Sequence, residues 1–153
     1  MNYEKNLLLI PESRKRPITE SLLYKQIVRF FEEEKIRDKF EIVFIEIPKG
    51  ESPPQHFRSG RTLIKKEQIV QMANNVRRRV SNRKAIAYVR GAYLEVVRLA
   101  NVESVLREEE LAVLKKKGIR WMKVGLRMDE ASEIFKKRIV EFSKNENKQL
   151  TLF

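Results

Sequence analysis

The chain has 153 residues, enough for one domain or for one domain plus a tail, and its 33 Lys and Arg against 21 Asp and Glu give a net charge of +12. It contains no Cys and one His, which excludes a disulfide scaffold, a Cys-based zinc site and a Cys nucleophile. No apolar run approaches the roughly 18 residues of a membrane span and no N-terminal signal pattern is present, so the expectation is a basic, soluble, cytoplasmic domain with no membrane partner.

Leu7-Leu8-Leu9-Ile10, closed by Pro11, predicts a buried strand. A basic loop runs from Pro11 to Pro17. From Ile18 the apolar positions Leu22, Leu23, Ile27, Phe30 and Phe31 recur at helical spacing, predicting an amphipathic helix that ends near Lys35. FEIVFIEI, residues 40–47, is rich in β-branched and aromatic side chains and predicts a central strand stopped by Pro48-Lys49-Gly50. After a Pro-containing loop that holds His56, a second helix is predicted over 62–80. Its apolar stripe is Leu63, Ile69, Val70, Ala73, Val76 and Val80, and its other face carries much of the basic charge.

KAIAYVR, residues 84–90, predicts a third strand ending at Gly91, followed by a short helix or turn over 93–100. A helix is expected over 105–117, with Glu108, Glu109 and Glu110 toward its start, Lys115, Lys116 and Lys117 at its end, and Gly118 as its C-cap. RWMKVGL, residues 120–126, predicts a fourth strand. Asp129 is placed to N-cap a last helix with Ala131, Ile134, Phe135, Ile139 and Phe142 on one face. The alternation argues for an α/β fold: a single domain over 1–142, about four mostly parallel strands flanked by helices. Residues 143–148, SKNENK, lack periodicity and read as the start of a flexible C-terminal tail over 143–153.

The charge is uneven. Residues 1–57 hold 10 basic and 10 acidic residues, 58–98 hold 11 and 2, and 99–153 hold 12 and 9, so net charges of 0, +9 and +3 sum to +12. No acid lies between Gln68 and Arg90, and Arg dominates. Arg forms bidentate contacts with phosphate, and neutralising phosphates releases counterions. The candidate nucleic-acid contacts are Arg58, Arg61, Lys65, Lys66, Arg77, Arg78, Arg79, Arg83, Lys84 and Arg90. Tyr88 and Tyr93 are candidates to stack on bases, against the alternative of core packing.

The chain ends Gln149-Leu150-Thr151-Leu152-Phe153. QLTLF resembles the sliding-clamp-binding motif of bacterial replication and repair proteins, roughly QL-[S/D]-LF, a shortened relative of the PCNA-interacting peptide. The resemblance implies that Gln149 is a polar anchor at a pocket edge, Leu150 an edge contact, and Leu152 and Phe153 the anchors that fill the pocket. It implies DNA and the polymerase sliding clamp as partners. The alternative is a terminal strand or hook that packs on its own domain.

A metal-dependent nuclease needs carboxylates converging on Mg²⁺ or Mn²⁺, most often beyond the carboxyl ends of parallel strands. Glu46, Asp129 and Glu12 are the candidates. The strand ending in Glu46 and the acids Asp129 and Glu130 resemble the RuvC-like branch of the RNase H fold, which implies Mg²⁺ as cofactor. That family carries Asp on its first strand, where this chain has Ile10-Pro11. Glu46-Ile47-Pro48-Lys49 is one residue longer than the Glu-x-Lys of PD-(D/E)xK nucleases. The alternative is that Glu46 lies, with Glu41, on the exposed side of its strand. No other metal ligands and no Gly-rich phosphate loop are apparent. The expectation is a clamp-tethered DNA-binding factor of replication, repair, recombination or a mobile element, with a tethered nuclease or junction resolvase, and a basic RNA-binding protein with a self-packed tail, as alternatives.

Overall fold

Four consecutive large apolar residues suit a strand covered on both faces, and Leu7 to Ile10 occupy that position: each is at most 1% exposed. The computed structural model describes residues 5–11, 17–48, 66–89, 91–116 and 130–150, and of residues 18, 115, 130 and 145–150 the backbone alone. Among the described residues, β1 (Asn6–Pro11), β2 (Phe40–Ile45), β3 (Ala85–Ala87) and β4 (Glu103–Ser104) form one sheet in the order β2-β1-β3-β4. Every pairing is parallel, with Asn6 opposite Phe40, Leu7 opposite Ala85, and Ile86 opposite Glu103.

Five α-helices flank the sheet among the described residues: α1 (Leu22–Glu33), α2 (Lys66–Val80), α3 (Ala92–Leu99), α4 (Glu108–Lys116) and α5 (Glu130–Leu150). Period-2 alternation divides β1 between two cores. Leu8 and Ile10 pack with Ile27, Phe31, Phe40, Phe135 and Ile139, which places α1 and α5 on one face, joined by α4 through Leu114. Leu7 and Leu9 pack with Ile69, Met72, Val76, Val96 and Val97, which places α2 and α3 on the other. From β1 the chain steps outward to β2, then passes back over β1 to β3 and on to β4. Right-handed crossovers require such a reversal of direction to be matched by a change of face.

Local chemistry fixes the ends of the helices. Ser21 caps α1, its Oγ accepting from the Tyr24 amide at 3.3 Å. The same helix closes through Lys35, in the left-handed region at φ 58°, with Ile36 N donating to Phe31 O at 2.9 Å. Asn101, at φ 60°, ends α3 in the same way. Gly91 N-caps α3 at φ 60° and ψ −134°, a backbone state open essentially to Gly alone.

Two boundaries and one added strand differ from the sequence-based expectation. Instead of starting at residue 105, α4 starts at Glu108. Val105 and Leu106 are fully buried, Val105 N donates to Ala87 O, and the Glu110 carboxylate accepts from the Arg107 amide at 2.9 Å to set the helix start. The strand beside β3 is the two-residue β4, while the strand expected over 120–126 lies outside the described residues. The last helix continues to Leu150 rather than ending at Phe142. Residues 143–150 contain no Pro or Gly, and Lys, Glu and Gln propagate a helix at little cost.

Candidate nucleic-acid interface

The basic segment centres on α2, a helix with two unlike sides. Ile69, Met72, Ala73 and Val76 recur at i, i+3, i+4 and i+7 and are buried against Leu7, Leu9, Val43 and Ile45. Val70, expected in this stripe, is 41% exposed, and Met72 takes its place in the core. On the helical wheel Val70 stands about 100° from the centre of the buried side. The opposite side bears Glu67, Gln71, Asn74 and Arg78, with Lys66 and Arg77 on one flank and Arg79 on the other. Arg77, Arg78 and Arg79 occupy the last turn, where cations meet the negative end of the helix dipole favourably.

The structure divides the predicted arginines by role in the fold. One Arg77 nitrogen donates to Asn74 Oδ1 at 2.7 Å and another to Leu99 O, so that Arg77 braces the end of α3. Arg79 and Arg83 both reach Glu41 on β2, at 3.1 and 2.8 Å. Arg83 also donates from Nε and Nη2 to the Lys5 carbonyl at 2.9 and 2.6 Å, and its side chain is only 16% exposed. Lys84 Nζ lies 5.9 Å from the centre of the Phe142 ring. Lys66 and Arg78 are exposed and have no side-chain partner among the described residues. Arg58, Arg61, Lys65 and Arg90 lie outside the described residues.

A run free of acids in sequence is therefore not free of them in space. Glu41, separated by 38 residues from Arg79 and 42 from Arg83, neutralises part of it. That pairing follows from period 2: Glu41, Val43 and Ile45 share the face covered by α2, and Glu41 stands at the amino end, beside the last turn of the helix.

The candidate aromatic platforms are core residues. Tyr88 is fully buried with its ring 4.5 Å from that of Phe135, and Tyr93 is 9% exposed in the core beneath α2 and α3. Glu46 follows the end of β2 and is exposed. Glu12 and Asp129 lie outside the described residues, and among the described residues no group of three or more His, Cys, Asp or Glu is arranged to hold a metal. The strand order changes direction between β1 and β3, the position where open α/β sheets bind ligands, and the residues leaving those strands, 12–16 and 90, are outside the described set. No described helix is long and apolar enough to cross a membrane.

At the far end of the chain, the backbone of Gln149 and Leu150 belongs to α5, while Thr151, Leu152 and Phe153 lie outside the described residues. A half-buried ion pair ties α5 to α4. Arg138 donates to both carboxylate oxygens of Glu110 and to the Val105 carbonyl. Donation from Arg138 holds the Glu110 carboxyl below its usual range, against partial burial that pushes it up.

Comparison of the chain with protein-family models, with curated proteins and with solved structures finds no match.

Proposed function

We propose that the protein is a DNA-binding accessory factor of replication, repair or recombination, held at the sliding clamp by its QLTLF terminus. The observation that carries this reading is the concentration of positive charge in residues 58–98, 11 basic against 2 acidic. Within it, 58–66 contribute four cations and no acid, and the exposed Lys66 and Arg78 have no internal partner among the described residues. Cations not neutralised within the fold are available to displace the counterions of a polyanion.

Phosphate contacts of this kind give a weak grip and carry no sequence information of their own. The motif at residues 149–153 supplies the second attachment. Two weak attachments on one chain raise the effective concentration of each other, so the protein dwells on DNA only where a clamp encircles it.

The test of the DNA grip is fluorescence anisotropy with a labelled duplex between 50 and 200 mM salt. Phosphate contacts from Arg58, Arg61, Lys65 and Lys66 predict a slope of log K against log salt of about −4, near −0.9 per contact. Absence of binding at 50 mM, or a slope near zero, refutes the reading.

A further inference from the structure

The outer side of α2 has a composition that charge alone does not explain. Glu67, Gln71, Asn74 and Arg78 are spaced i, i+4, i+7 and i+11, which makes them one straight row opposite the buried side, and Asn75 stands next to it. A row serving solubility alone is best built from Lys and Glu, which favour the helix, whereas two adjacent Asn in mid-helix disfavour it. The side chains of Gln71, Asn75 and Arg78 have no hydrogen-bond partner among the described residues. Asn74 accepts from Arg77 at 2.7 Å, a contact that orients the amide and leaves its two N–H donors uncommitted.

Gln, Asn and Arg are the side chains that read base edges. Gln and Asn pair with the N6 and N7 of adenine, and Arg with the O6 and N7 of guanine. Glu67, the acid at the head of the row, is an acceptor suited to the N4 amine of cytosine rather than to phosphate. From residue 71 to 78 the helix rises about 10 Å, the length of about three base pairs at roughly 3.4 Å each. Lys66, exposed on the flank of the row, complements the phosphates that border a groove.

We infer that α2 lies in the major groove of B-form DNA and reads about three consecutive base pairs through Gln71, Asn74 and Arg78. This rests on the proposal that the protein binds DNA and adds that the binding is selective for sequence. The groove of B-DNA is wide enough for a helix, whereas the major groove of A-form RNA is not, so the occupant is duplex DNA.

The experiment is selection of the intact protein on a pool of duplexes with a randomised core at 150 mM salt, followed by sequencing. It is repeated with Gln71→Ala, Asn74→Ala and Arg78→Ala. Ala favours the helix at each position, and circular dichroism checks that the fold is kept. The wild type is expected to enrich a short core of about three fixed base pairs. Each variant is expected to lose discrimination at one of them, by roughly 5- to 150-fold. Steep, salt-dependent binding with no enriched core overturns the inference and leaves the DNA-binding proposal standing. An enriched core unchanged in all three variants also overturns it, as does tighter retention of duplex RNA. Binding to no duplex at all overturns both.

Discussion

Arg83 and Lys66 separate the two uses to which the basic segment is put. Arg83 is 16% exposed and, among the described residues, donates two hydrogen bonds to the Lys5 carbonyl and one to Glu41. In Arg83→Ala the carbonyl loses its charged partner, a loss of about 1–2 kcal/mol. Glu41 keeps Arg79 and is itself 41% exposed, so its share is below about 1 kcal/mol. The sum is about 2 kcal/mol, which for a chain of this size lowers Tm by about 4–8 °C. Lys66 is exposed at the start of α2, and Lys66→Ala is expected to leave Tm within about 1–2 °C. On labelled duplex the order inverts. Lys66→Ala makes the salt slope shallower by about 0.9, whereas Arg83→Ala leaves the slope unchanged below its melting range. Paired melts and anisotropy titrations measure both. An Arg83→Ala protein as stable as the wild type, with a flattened slope, refutes the division.

Further outcomes follow from the packing and the ion pair. Phe135 is fully buried, its ring 4.5 Å from Tyr88 and 6.1 Å from Phe30, so Phe135→Ala is expected to cost about 3–5 kcal/mol. Urea denaturation checks this, and a loss below about 1.5 kcal/mol contradicts the placement of α5 against the sheet. Arg138 lowers the Glu110 carboxyl in the folded state, so the contribution of the pair is present above the ordinary value of 4.5 and is lost as pH falls from there through the folded value. Glu110→Gln is expected to flatten that acid limb by about 1 kcal/mol or less, read from stability at pH 3 to 6; an unchanged limb contradicts the pairing. Lys35, at φ 58°, closes α1, and Lys35→Gly removes the strain of a Cβ there, raising stability by about 0.5–1 kcal/mol in a thermal melt. A drop in Tm contradicts that backbone state.

Much of the fold is legible in the sequence because its elements carry their own period. The unbroken Leu7 to Ile10 run announces a strand buried on both sides, and the 3.6 spacing of Ile69, Ala73, Val76 and Val80 announces α2 with its end at Val80. β4 has no such signature: two residues show no period, and Glu103–Ser104 becomes a strand only because Val105 and Leu106 are pinned into the core beside it. The start of α4 moved for the same reason. In the candidate interface, counting charges along the chain located the basic segment and missed its partition, because Glu41 meets Arg79 and Arg83 through strand pairing rather than through proximity in sequence. The amide row on α2 is legible on the same helical wheel as the apolar stripe.

The most direct test of the account is calorimetric titration of a bacterial sliding clamp with the full chain and with a chain lacking Gln149 to Phe153. Binding near micromolar Kd, abolished by the truncation while duplex affinity is unchanged, is the predicted result. Equal binding by both chains, or binding by neither, contradicts recruitment through the terminus.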